Sequence, residues 1–199
     1  MIINHDPEFV ITLQRVIEFI GTFAFALSGI RLAASKHYDW LGGFVCGIAV
    51  AIGGGTIRDV MLGVRPFWML SPIYMICTLF AQCVVIVCHH YLRRLDTTWF
   101  LFDTLGLALF NIAGIQKTLE CGFPFWVAII MGCITGAAGG VIRDVLLNEE
   151  PVIFRKEIYA MACVVGGLTY WLLSWLQVSL YITCLLYTSP SPRDPKTSR

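Results

Sequence analysis

One heptapeptide occurs twice in this chain with a single residue changed. Gly54-Gly55-Thr56-Ile57-Arg58-Asp59-Val60 returns as Gly139-Gly140-Val141-Ile142-Arg143-Asp144-Val145, a shift of 85 residues (Gly54 to Gly139). The same shift carries Gly21 onto Gly106, Phe25 onto Phe110, Gly29-Ile30 onto Gly114-Ile115 and Gly47 onto Gly132. Beyond the heptapeptide it carries Leu62 onto Leu147, Pro66 onto Pro151 and Ile73-Tyr74 onto Ile158-Tyr159, with no gap. Glu18 falls on Asp103, so an acid is kept too. Similarity between greasy segments alone does not hold register across Arg-Asp, Pro and Tyr. The chain is expected to be a duplicated unit, each copy placing a charged pair behind glycines in an apolar run.

The surroundings of that pair follow from composition. With 57% hydrophobic and 14% charged residues, the chain is unlike a soluble domain. Val10–Ala33, Leu41–Leu62, Leu70–Tyr91, Trp99–Leu119, Phe125–Leu147 and Ile158–Leu176 each approach the ~20 apolar residues that a spanning helix needs. A seventh run starts at Val178 and loses its apolar character after Leu186. Nothing alternates with period two over ten-residue blocks, which argues against a barrel. The expected fold is an all-α membrane bundle, because backbone groups in hydrocarbon must be satisfied within each segment. The first segment follows Asp6 and Glu8 with no basic lead and no small-residue cleavage site, and reads as a retained helix.

Three helices per copy is an odd number. The two copies are therefore expected to run in opposite directions, as inverted repeats over 8–92 and 93–177, followed by a remnant of a seventh helix at 178–186. Cations in the connections set the orientation. Arg31, Lys36, Arg93, Arg94, Arg155 and Lys156 follow the odd-numbered helices, against Arg65 and Lys117 after the second and fourth. The positive-inside bias then puts the N-terminus outside. Residues 187–199 carry three prolines in a polar run, which reads as a disordered, non-native tail in place of a full seventh helix.

In inverted folds the pathway lies where the halves meet, and a pair of Gly-interrupted helices points to it. Gly53-Gly54-Gly55 marks the second helix; Gly136, Gly139 and Gly140 mark the fifth. Arg58 and Arg143 then sit within the membrane, where an arginine costs ~2.5–3.5 kcal/mol on the insertion scale and demands a partner or a wet cavity. Neighbouring residues on a helix point about 100° apart, so pairing with Asp59 and Asp144 is expected across the repeat interface. With Glu18 and Asp103 the intramembrane groups comprise two cations and four acids, a balance that favours a cation. A bland alternative stands beside this: a glycine packing seam with ion pairs that only orient helices.

The doubled Gly-Gly-x-Ile-Arg-Asp signature, within a three-plus-three-plus-one helix pattern, resembles the prokaryotic trimeric intracellular cation (TRIC) channel family. Its domain is also known as a bacterial "glycine transporter" domain of inner-membrane proteins. The resemblance runs from about Glu8 to Leu180. It implies a homotrimer in the inner membrane, with one pore per subunit passing K⁺ and Na⁺ between kinked second and fifth helices. The positions carried over are Gly53, Gly54, Gly55, Arg58 and Asp59, with Gly139, Gly140, Arg143 and Asp144. Glu18, Asp103 and Lys117 are secondary candidates.

The expected mechanism is cation flow between the repeats, with carbonyls freed at the glycines facing the path and arginines tuning gating. A secondary carrier of a small zwitterion such as glycine is the alternative, since Arg and Asp together can hold a carboxylate and an ammonium. A non-transporting scaffold is a third. No phosphate loop, Ser-His-Asp set or helical His-Glu pair suggests an enzyme. No cofactor, resident metal or nucleic acid is expected; the partners are other copies of the chain, monovalent cations and lipids. The eight cysteines show no Cys-x-x-Cys spacing and read as packing residues. His89-His90 with Arg93-Arg94, and Trp68, Trp99, Trp126, Trp171 and Trp175, read as interfacial anchors. Pro66 and Pro151 read as turns that stop the glycine-bearing helices.

Overall fold

In a computed structural model, the structure describes residues 7–88, 98–155 and 157–175, all helices and turns among them. Six long helices carry the fold: α1 (Pro7–Ser35), α2 (Trp40–Met61), α4 (Ile73–Val87), α5 (Thr98–Glu120), α6 (Phe125–Leu146) and α8 (Glu157–Trp175). Two four-residue helices, α3 (Phe67–Leu70) and α7 (Val152–Arg155), were not expected; they occupy equivalent places after α2 and α6. By length and composition, three described stretches suffice to cross a membrane: Gln14–Ser35, Trp40–Met61 and Phe125–Leu146. The expected seventh helix (178–186), the tail (187–199) and the His89-His90-Arg93-Arg94 cluster lie outside the described residues, as do the side chains of Trp99, Trp171 and Trp175.

The helix ends repeat with the sequence. His37 (φ 61°) ends α1 and Gly122 (φ 83°) ends α5, both left-handed. The amides two residues past each helix cap turn back alike, Tyr38 N–H to Ala33 O and Phe123 N–H to Thr118 O. At the other end, Gly63 (φ 71°) and Asn148 (φ 53°) close α2 and α6, residue types that take this conformation at little cost. Val64 N–H reaches Asp59 O and Glu149 N–H reaches Asp144 O, the paired bonds of a Schellman end. Each copy therefore stops its glycine-bearing helix two residues after the Arg-Asp pair and reverses the chain.

α1 packs on α2, α4 and α5; α2 packs on α6; α8 lies against α5 and α6. The α1–α5 contact is reciprocal. Phe110 fills the space beside Gly21, Phe25 fills the space beside Gly106, and the two rings stack 5.3 Å apart. Position 21 of one copy thus faces position 25 of the other, in both directions, the form of contact that a twofold relation generates.

Two sequence expectations are corrected. Arg31, counted among the connecting-loop cations, lies inside α1 and is buried; it falls within the apolar run 10–33 itself, one turn before the helix ends at Ser35. α2 and α6 are helical throughout Gly53–Gly55 and Gly136–Gly140, so the glycines do not interrupt them. Here the lack of a side chain serves close approach. A β-carbon on Gly139 would come 2.9 Å from Val50 O, and one on Gly54 would run into Thr135 O. Val50 and Thr135 are themselves repeat mates, so this seam is reciprocal as well. Among the described cysteines, Cys46, Cys77 and Cys163 pack inside while Cys83 and Cys88 are exposed.

Candidate functional site

Each glycine-bearing helix ends on a buried guanidinium held by two carboxylates. Arg58 and Arg143 are both fully enclosed. Arg58 donates through Nε to Asp59 Oδ1 (2.7 Å) and through Nη2 to Glu18 Oε1 (3.2 Å). Arg143 donates through Nε to Asp144 Oδ1 (2.8 Å) and through Nη1 to Asp103 Oδ1 (2.5 Å). The expected pairing across the repeats is therefore wrong: each arginine binds the aspartate next to it and an acid of its own half. Helical directions at Cα mislead here because the arginine stem is long enough to fold its Nε back on the adjacent carboxylate.

The aspartates do a second job. Asp59 Oδ2 accepts the N–H of Phe67 (2.8 Å) and Asp144 Oδ2 that of Val152 (3.0 Å), at the first residues of α3 and α7. Because the Schellman end reverses the chain, the amide eight residues on returns to the carboxylate. Each Asp thereby ties the last turn of its long helix to the following short one. Buried ion pairs offset their desolvation best when the remaining lone pairs are also bonded, and these links provide that for the second oxygen of each aspartate.

The two knots differ at their edges. Tyr74 Oη donates to Glu18 Oε2 (3.1 Å), and the Phe67 ring lies under the Arg58 guanidinium with its centroid 5.7 Å away. Arg143 Nη1 instead donates to Ser28 Oγ of α1 (2.8 Å), a bond from one half to the other. The position matching Ser28 is Ala113, which has no hydroxyl, and Arg58 Nη1 is buried with no hydrogen-bond partner. Repeat comparison finds Tyr74, since Tyr159 matches it; Ser28 leaves no such trace.

Of the remaining candidates, Gly53 lies against Ile142 and Gly55 against the Phe67 ring. Gly140 is buried in α6. Lys117 lies in the last turn of α5, half-exposed, 3.8 Å from Glu120, away from both knots' hydrogen bonds. Trp68 donates Nε1–H to Thr56 Oγ1 (3.0 Å), and Trp126 is exposed. No group of metal-ligating side chains occurs among the described residues.

A family model described as Glycine transporter matches residues 15–90 and again residues 100–175. The chain belongs to that family. Both matches in this Glycine transporter member start 85 residues apart, the register of the two knots. Similar proteins include the UPF0126 inner membrane protein YadS of Escherichia coli, 41% identical over 157 residues (77% of this chain, 75% of YadS). The UPF0126 membrane protein YvgT of Bacillus subtilis is 34% identical over 174 residues, 86% of each chain. Among solved structures, the TRIC trimeric intracellular cation channel orthologue from Rhodobacter sphaeroides superposes with a TM-score of 0.81 at 29% identity, covering 89% of this chain and 92% of that one. A structure described in terms of conductance through TRIC cation channels gives 0.74 at 31% identity, over 87% and 86%.

Proposed function

We propose that this protein is a cation channel of the inner membrane, passing K⁺ and Na⁺ along a path between α2 and α6 in each subunit of a homotrimer. The observation that carries the reading is the reciprocal seam between those helices. Backbone meets backbone at Gly54 and Gly139, and one buried guanidinium knot stands at the end of each helix. The close likeness to TRIC channel structures supports it. Gly53, Gly54, Gly55, Gly139 and Gly140 form the constriction, while Arg58–Asp59 and Arg143–Asp144 hold the helix ends that must move. On this reading Gly54 and Gly139 hold α2 and α6 in backbone contact, and conduction requires the two helices to separate along that seam.

Two further readings belong with this one. The halves are inverted, each copy running opposite to the other through the bilayer. Ion pairing of Lys36 with Glu149, and the bond from Tyr38 Oη to Leu146 O (3.2 Å), support it by bringing the end of α1 beside the end of α6. The N-terminus is outside, on the positive-inside argument.

The family's description offers glycine as an alternative cargo. The knots argue against it, because each arginine that would bind a substrate carboxylate already holds two protein carboxylates. Planar-bilayer recording of the purified protein in asymmetric KCl decides the matter. Discrete openings reversing near the K⁺ potential are expected, with altered open times in Arg143→Ala. Silent or anion-selective membranes, together with saturable uptake of labelled glycine into proteoliposomes, would favour the carrier.

A further inference from the structure

The seam between α2 and α6 is antiparallel, with Val50 beside Gly139 and Gly54 beside Thr135. The start of α2 therefore lies toward the end of α6, and the turn just before α2 bonds there twice. Lys36 Nζ pairs with Glu149 Oε1, and Tyr38 Oη donates to Leu146 O (3.2 Å). Both side chains stand on a turn that is itself held in place. Tyr38 N–H returns to Ala33 O, and Asp39 caps α2 by accepting Gly42 N–H (2.7 Å). A pull on either contact is thus passed to the first turn of α2.

The matching places at the other end of the seam hold different residues. Cys121 stands for Lys36 and Val64 for Glu149, Phe123 for Tyr38 and Met61 for Leu146. Cys121 and Val64 cannot form an ion pair, and Phe123 has no hydroxyl to donate. The glycine contacts are reciprocal, whereas these two bonds belong to one end alone and are no by-product of the shared fold. Their strength suits a contact that breaks and re-forms. Lys36 and Glu149 are each 39% exposed, and an ion pair so open to solvent shifts an equilibrium by only about two- to fivefold. The enclosed Arg143 knot is a permanent fixture by comparison.

We infer that Lys36–Glu149 and Tyr38–Leu146 form a latch at one end of the α2–α6 seam, restraining the two helices from separating at the membrane face that carries the α1–α2 turn. The opposite face carries neither bond. The inference rests on the channel reading and supplies its regulation: the open-to-closed ratio is set from one face of the membrane.

Single-channel recording of the full chain in planar bilayers, paired with hydrogen–deuterium exchange in detergent, tests it. Lys36→Met and Tyr38→Phe should each raise the open-to-closed ratio about threefold. Together they should raise it about tenfold, equivalent to ~1.4 kcal/mol. Lys36→Glu combined with Glu149→Lys should bring the ratio back toward that of the unmodified chain, which neither reversal alone does. Phe123→Leu, at the other end of the seam, should leave it unchanged. In the same latch variants the amides of Leu147 and Glu149, which bond Arg143 O and Asp144 O, should exchange faster. Conducting membranes in which Lys36→Met and Tyr38→Phe leave the ratio unchanged overturn the latch, as does unaltered exchange at those amides. An equal rise in Phe123→Leu overturns its one-sidedness. Silent membranes with faster exchange would instead refute the channel reading and uphold the latch as a tie between the two helix ends.

Discussion

The Arg58 and Arg143 knots are built from one plan and finished differently. Both set a guanidinium against the adjacent aspartate and an acid 40 residues earlier, and both use that aspartate to hold the start of a short helix. The first knot is completed from within its own half, by Tyr74 on Glu18 and by the Phe67 ring. The second is completed from the other half, by Ser28. The repeated register carries the ionic frame, and the differences at Ser28/Ala113 and Phe67/Val152 go with the different finish of the two knots. One guanidinium is bonded between halves; the other keeps a buried N–H unused.

Removing an arginine breaks the comparison most severely. Arg143→Ala leaves Asp103 and Asp144 facing each other without a cation, and should cost ~3–5 kcal/mol of unfolding free energy in detergent. Arg58→Ala should fall in the same range but lower, because it forfeits no bond between halves. Thermal or denaturant unfolding of the two variants checks this; a larger loss for Arg58→Ala would mean that Ser28 contributes nothing.

Next in size are the seam glycines. Gly54→Ala and Gly139→Ala each push a methyl against a backbone carbonyl, which cannot swing aside as a side-chain end would. Overpacking of this kind costs ~1–3 kcal/mol. The sharper expectation concerns conduction: forcing α2 from α6 should raise open probability in bilayer recordings, and Gly54→Ala should do so more, having the closer carbonyl. Reduced opening in both would place the path elsewhere.

Much of this frame was legible in the residues. The 85-residue register located both Arg-Asp pairs, and Glu18 and Asp103 stood out as acids at equivalent places in apolar helices. Tyr74 was within reach for the same reason. What sequence could not carry was direction and distance. Arg58 meeting its own neighbour depends on how a long side chain folds back, and α3 and α7 exist because a left-handed residue at Gly63 or Asn148 returns the chain to the aspartate. The glycines were read as interruptions because glycine is a poor helix former. Packing overrode that propensity, since two helices that approach within backbone contact stabilise each other in regular form. Ser28 gave no signal: a lone serine in an apolar helix ordinarily bonds its own preceding turn.

Ser28 is therefore the finer instrument. Ser28→Ala removes one hydrogen bond to a charged group and should cost ~1.5–3 kcal/mol if Arg143 Nη1 loses it outright, or about 1 kcal/mol if Asp103 takes up the slack. A double-mutant cycle with Asp103→Asn separates these cases, because a coupling energy near zero is expected only when the two acceptors act independently.

The smallest expected effect is also the most specific. Ala113 holds in the second half the register place that Ser28 holds in the first, and it is fully buried. Ala113→Ser should offer Arg58 Nη1 the acceptor it lacks. A new buried hydroxyl without a partner would destabilise, whereas one that finds the guanidinium should stabilise by ~0.5–1.5 kcal/mol. The gain should vanish when Arg58 is replaced by Lys, whose single ammonium lacks the spare N–H at that position. Unfolding measurements on the single and double variants read the sign directly. A loss of stability in Ala113→Ser, unchanged by Arg58→Lys, would show that the two knots face different surroundings and that the match in register does not extend to side-chain reach.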